Sequence, residues 1–502
     1  MKRVDEEYRD LFAPIPGPPR PDPEFEAIER AFQAEAKRRT RRWVIGTITL
    51  FSLLFVWSHA DRLYRHGRRG WYAWQAMASD SPLAGIDLER VHGELLSNWV
   101  VARNEDPEEA EAAKQAMLDA LGPSPPLSQL FSTLHDLAAP DEGLWERHQL
   151  LLDTIAAWNR LLQRSEAPWW LDSNVLVGQG QAQFYVKTYH VQGTMVLTVG
   201  AERVVTRLLA RADRLNVLEF ALGHASPERD HAAVLLHRIE DHARDVVWPS
   251  LAVTQTQAGV NLAHHVRKEV QSALKDEEWT ALSATAQARK TVKNIVLRVD
   301  RRRRCGARLV LRMKGLDGFS LETLRWLRGV AARESQYECA AITPQEVQDL
   351  DEASRTLRRT THVREAIDAL VVWLARGVAV HEARHVADQR LYHGLERALQ
   401  CQRCPQTFSV RSRAELSAWL AELSWGPAPF STLMHACSLP KRTTTGRAVW
   451  LMLNQLGQRV CEVPPGDVQA RARALEQQMF ERQQPVRVLT PLPRQIRPMK
   501  RS

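Results

Sequence analysis

The chain has 502 residues, 44% of them hydrophobic, with a formal net charge of +9. That apolar share excludes a coreless polymer and supplies two to four structural units. The positive excess sits partly in the last eighteen residues, where Arg487, Arg494, Arg497, Lys500 and Arg501 face no acidic residue, so it is no argument for a nucleic-acid partner.

Residues 1–42 carry Pro14–Pro23 (PIPGPPRPDP), which suits neither a helix nor a central strand, and they are read as a disordered cytoplasmic head. Trp43–Ala60 follows without a charged residue. At ~1.5 Å per residue this stretch spans ~27 Å, close to a hydrocarbon core of ~30 Å, with Trp43 and Trp57 where interfacial anchors belong. Five basic residues directly before it (Lys37, Arg38, Arg39, Arg41, Arg42) and four after it (Arg62, Arg65, Arg68, Arg69) predict a single-pass signal-anchor at 43–60 with its N-terminus inside. The rest of the chain is then expected outside the inner membrane, in a periplasmic or other extracytoplasmic space.

Residues 61–170 are expected to be a helical region. Leu88, Val91, Leu95, Leu96 and Val100 recur at helical spacing, Asp106-Pro107-Glu108-Glu109 opens a second helix, Pro123–Pro126 breaks it, and a third covers about 144–163. The pattern then changes to β-branched and aromatic residues. Gln183–Val191, a turn at Gln192-Gly193, and Thr194–Val199 predict one hairpin. Ile295–Val299 and Ala307–Met313 predict a second, with Arg301–Arg304 as its exposed turn. Further helices are expected at about 321–333, 344–358, 362–392, 412–424, 443–457 and 466–483, and a disordered basic tail at 485–502.

Six cysteines are present: Cys305, Cys339, Cys401, Cys404, Cys437 and Cys461. An even number in an oxidising compartment suits disulfides. Cys401-x2-Cys404 could instead open a structural zinc site with Cys437 and Cys461, and free thiols remain a third reading.

The chemistry is concentrated in His381-Glu382-Ala383-Arg384-His385. Residues four apart share one face of a helix, so His381 and His385 present two imidazoles to one metal ion, and Glu382 lies beside them as a general base. The approach Val371–Val380 is largely apolar, as a buried site requires.

This segment resembles the active-site helix of the HExxH zinc metallopeptidases, the zincins. Val378 stands three before the first histidine, and Ala379, Ala383, Val386 and Ala387 keep the neighbouring positions uncharged, as in that family. Arg384 departs from the pattern, since the two residues between Glu and His are usually uncharged. The resemblance implies Zn2+ as cofactor, a third protein ligand, and a peptide or protein substrate. The metzincin position for that ligand, 391, is a leucine. The gluzincin pattern takes a glutamate from a later helix, which favours Glu415, with Ala418 as the small residue three positions on; Glu422, His393 and Asp388 are the alternatives. Asp388, one turn beyond His385, is also a candidate to orient a ligand histidine. His435 and Tyr392 are candidate oxyanion stabilisers, and a strand of either hairpin could pair with an extended substrate.

The expected fold class is α+β and predominantly helical: a zincin-like catalytic domain at 171–484 with small β-hairpins, preceded by one transmembrane helix. The expected function is that of a membrane-anchored zinc metallopeptidase. A non-enzymatic reading makes the chain a single-pass envelope scaffold whose HExxH is structural.

Overall fold

The computed structural model describes residues 83–490, except 123, 140–141, 179–180, 214, 216–220, 227–230, 253–260, 314, 335–336, 338, 393–398 and 482–483. Helices come first: α1 (Leu96–Glu105), α2 (Pro107–Leu121), α3 (Pro125–Leu137) and α4 (His148–Arg164). The start of α2 is written in the sequence. An Asp106 carboxylate oxygen accepts the Glu108 amide at 2.8 Å, and Pro107 fills a first-turn position whose N–H would have no helical partner. Leu127, Phe131 and Leu134 of α3 and Leu151, Ile155, Trp158 and Leu162 of α4 form apolar stripes at helical spacing. These stripes share one core with Trp169, Leu171, Phe184 and Val186 of the sheet that follows.

That sheet contains β1 (Trp169–Gly178), β2 (Gln181–Val199), β3 (Glu202–Arg211), β4 (Gly223–Ser226) and β5 (His231–Leu235) in the order β1-β2-β3-β5-β4. Only the β3/β5 pair is parallel. β2 is continuous through the expected turn. Val191 pairs with Leu209 and Gly193 with Leu208, which leaves Gln192 as an extra residue. Gln192-Gly193 is therefore a β-bulge, and a bulge bends its strand without ending it. Phe184 and Val186 before the bulge face the first core, whereas Met195, Leu197 and Val199 after it face a second, larger one. One strand thus serves two cores.

The larger core is covered by α5 (Leu236–His242), α6 (Leu262–Ala273), α7 (Asp276–Arg302), α8 (Leu321–Glu334), α9 (Pro344–Arg359), α10 (Val363–Tyr392), α11 (Val410–Trp425), α12 (Pro429–Ser438), α13 (Thr444–Leu456) and α14 (Val468–Phe480). β6 (Val486–Val488) then pairs antiparallel with the end of β2. α10 lies between the sheet and the other helices, touching β3, β4, β5, α7 and α11. Its buried residues Ala366, Ile367, Leu370, Val371, Ala375, Val378 and Ala379 leave little polar surface, as a helix enclosed on most sides requires.

The expected fold class is corrected here. In place of small hairpins there is one six-stranded sheet, curled into a half-barrel. The second hairpin is absent. Ile295–Val299 lies inside α7, where Val292, Ile295 and Val299 are buried at spacings of three and four. Arg301–Arg304 closes that helix, and Gly306 ends it with a left-handed backbone at φ 97°. No helix of the described residues is long and apolar enough to cross a membrane, and the span expected at 43–60 lies outside them, as does the head at 1–42. Residues 486–488, expected to open a disordered tail, are strand β6 because Val486 is buried against the core. All six cysteines are paired, as Cys305–Cys339, Cys401–Cys404 and Cys437–Cys461, so neither structural zinc nor free thiols apply to them.

Candidate metal centre

α10 and α11 cross closely. A Cβ on Gly377 would stand 3.3 Å from Glu422 Oε1, and one on Gly426 would stand 2.4 Å from the Glu422 carbonyl oxygen and 3.5 Å from the Gly377 Cα. Two glycines therefore let the helix that carries the histidines meet the helix that carries the glutamates. His381, four residues after Gly377, and Glu415, seven before Glu422, fall on the facing surfaces.

The ligand atoms of His381, His385 and Glu415 all lie within 4.8 Å of one another. The two Nε2 atoms are 3.2 Å apart, and Glu415 Oε2 is 4.0 Å from His381 Nε2. Four bonds of ~2.1 Å to a tetrahedral zinc put neighbouring ligand atoms ~3.4 Å apart, so these separations suit one ion of that size. Without a cation, two imidazole nitrogens at such a distance must share a proton or repel.

The far side of His381 is fixed as well. Its Nδ1 lies 3.2 Å from Glu422 Oε2, and Glu422 Oε1 accepts the Thr432 hydroxyl of α12 at 2.9 Å. A proton on Nδ1 donated to Glu422 leaves the Nε2 lone pair aimed at His385 and Glu415. Trp419 sets its ring edge-on to His381 at 5.3 Å.

The charge balance follows from burial. Desolvation disfavours a charged His381, but the Glu422 hydrogen bond and the nearby Glu382, Glu422 and Glu415 carboxylates outweigh it and raise its pKa to about 9. His385 is pushed down to about 4 by burial and by the His381 charge. Glu382 is pushed up to about 8 by burial, with Glu415 and Glu422 reinforcing the shift and His381 opposing it. Two imidazoles and the Glu415 carboxylate converge in this pocket, a donor set that one divalent cation would satisfy.

Glu382 faces the sheet. A Cβ on Gly223 of β4 would stand 2.8 Å from both Glu382 Cγ and Glu382 Oε1, and 2.7 Å from the Ala233 carbonyl oxygen. Only glycine lets this edge strand pass so near the carboxyl.

Arg384 points elsewhere. Its guanidinium is fully buried and donates to the Ser417 hydroxyl at 3.0 Å, to Gln484 Oε1 at 3.0 Å and to the Glu476 carboxylate of α14. Asp388 Oδ1 is 3.4 Å from Arg384 Nε, and Asp388 Oδ2 accepts the Ser417 hydroxyl at 2.7 Å. The charge inside the motif thus locks α10 to α11 and α14 and makes no contact with His381, His385 or Glu415.

The structure accordingly brings together His381, Glu382, His385 and Glu415. Of the alternative third ligands, Glu422 backs His381 from behind, Asp388 sits in the Arg384 network, and His393 lies outside the described residues. His435 lies against Trp419 (ring centroids 5.4 Å) and His242 (4.7 Å), and burial lowers its pKa to about 4. The Tyr392 side chain is outside the described residues. Sequence reasoning missed Gly223, Thr432 and Trp419. Gly377 carried a legible signal, a glycine in an otherwise apolar helix one turn before the histidine.

No protein-family model, curated protein or solved structure matches this chain.

Proposed function

We propose that the chain is a zinc-dependent peptide hydrolase centred on His381, His385 and Glu415. The observation that carries this reading is the ligand triad with its orienting carboxylate: two imidazole nitrogens 3.2 Å apart, Glu415 across from them, and Glu422 holding the outer nitrogen of His381. Zinc held by these residues supplies a Lewis acid and an acidified water at neutral pH. Glu382, next to His381 in the chain and buried, is the group placed to take a proton from water and pass it to the departing amine, and would do so with zinc bound. β4 is the terminal strand of the sheet and runs past Glu382, which suits an extended peptide laid alongside it as an added strand.

Metal analysis of the purified chain tests the reading. One zinc per chain is expected, lost in His381→Ala and His385→Ala. Hydrolysis of a quenched-fluorescence peptide library should vanish in Glu382→Gln while zinc is retained. A folded chain that takes up no zinc overturns the proposal.

A further inference from the structure

Residues 308–313 (Arg-Leu-Val-Leu-Arg-Met), which follow α7, form a stretch unpaired among the described residues. Burial alternates along it. Leu309 and Leu311 are 9% exposed and belong to the larger core, while Arg308, Val310 (51% exposed) and Arg312 face solvent. A period of two is that of an extended strand with one face on a core. Yet residues 308–313 make no backbone hydrogen bond among the described residues. Main-chain donors and acceptors along an edge of this kind are a template for another strand.

Both ends are held. The Cys305–Cys339 disulfide and the Ala307 amide, donated to the Arg302 carbonyl oxygen at 3.3 Å, fix the start. The fully buried Arg289 donates to the Gly315 carbonyl oxygen at 3.3 Å just past the end. The stretch is therefore preorganised, and a strand adding to it would not have to order it first.

The surroundings select the partner's charge. Between 298 and 312 there are seven arginines and one acid, Asp300. Arg298 and Arg302 are spent on Glu346, and Arg303 on Asp300. Arg301, Arg304, Arg308 and Arg312 are exposed and have no ion-pair partner among the described residues. They repel a second copy of the same strand and attract an anionic one.

We infer that residues 308–312 are a docking strand for an acidic, extended segment of a partner protein, which adds to the chain by β-pairing. The five residues give ~17 Å of ladder, the length of an ordinary strand. The inference is independent of the metal centre. A nucleic acid would use the arginines but not the alternating backbone groups.

The test uses the full chain carrying Glu382→Gln, so that a probe peptide stays intact, and an eight-residue fluorescein-labelled peptide alternating Asp or Glu with Val. In a β-ladder only every second residue of the probe directs its amide toward the chain. N-methylation of one alternate set should therefore weaken binding by at least about tenfold, while methylation of the other set changes it by less than about twofold. Arg308→Glu with Arg312→Glu, both exposed, should weaken binding by at least about tenfold. Equal effects of the two methylation patterns, or binding that survives the double substitution, overturn the proposal. So does a single-stranded oligonucleotide that binds more tightly than the peptide and is lost in the same double variant.

Discussion

Replacing Arg384 by methionine removes the cation from a pocket in which Glu476 is fully buried and Asp388 nearly so. The methionine occupies much of the arginine's volume but donates nothing, so the Glu476 carboxylate, the Ser417 hydroxyl and Gln484 lose a shared donor. Removing one partner of a buried ion pair strands its counter-charge and costs about 3–5 kcal/mol, against a typical folding stability of about 5–15 kcal/mol. The remedy is as informative as the damage. Arg384→Met combined with Glu476→Gln and Asp388→Asn leaves no unpaired charge and should recover most of the loss, since a well-packed neutral cluster is about as stable as a buried ion network. Urea unfolding followed by tryptophan fluorescence measures both. Zinc content should be unchanged in the single variant, because the guanidinium contacts Ser417, Gln484, Glu476 and Asp388 and none of the three candidate ligands. A single-variant loss below about 1 kcal/mol, the scale of an exposed ion pair, would refute the reasoning. So would a triple variant less stable than the single one.

Three further outcomes are expected. Gly223→Ala should displace the Glu382 carboxyl, lowering kcat by at least about tenfold with zinc still at one equivalent, as read by single-turnover kinetics and metal analysis. Glu422→Gln should weaken zinc affinity by about 10–100-fold, measured by competition with a chelator, because His381 loses the carboxylate that orients it. Acid should destabilise the α7–α9 contact. Burial raises the Glu346 carboxyl, but hydrogen bonds from Arg302 and Arg298 outweigh it and hold its pKa at about 2, against 4.5 for the free group. A depressed carboxyl contributes stability above pH ~4.5 and loses it as the pH falls toward ~2. The wild-type Tm should therefore drop more between pH 6 and pH 3 than that of Glu346→Gln, and parallel curves would exclude this role for Glu346.

The convergence of His381, His385 and Glu415 was legible because its signals are local or periodic. Two histidines four apart must share a helix face, and Glu415 lies on a helix whose following turns carry Ala418 and Glu422. The contribution of Glu422 was not legible, because which glutamate joins the two histidines' Nε2 atoms and which backs His381 depends on the distance between α10 and α11. That distance is set by Gly377 and Gly426, forty-nine positions apart in the chain. Arg384 was misleading for the same reason. A charge inside the motif looks like an intrusion until α14, almost a hundred residues on, supplies Glu476.

The two hairpins failed for opposite physical reasons. At Gln192-Gly193 the residue types suit a turn and a bulge equally, since both tolerate glycine, and the choice falls to what lies beyond. Here Met195, Leu197 and Val199 continue the alternation and have a second core to bury against, so the strand bends and runs on. At 295–313 neither half became a strand: the first is helical, and the second alternates in burial without pairing. Ile295 and Val299 complete a helical stripe begun at Ala281, Leu282 and Val292, and burial along twenty-seven residues of α7 outweighs the β preference of five. That leaves Leu309 and Leu311 anchored to the core in strand alternation with the hairpin partner drawn away into a helix. The same competition that defeated the hairpin left 308–313 without a pairing partner among the described residues, and the exposed Arg308 and Arg312 on it disfavour pairing with its own copies.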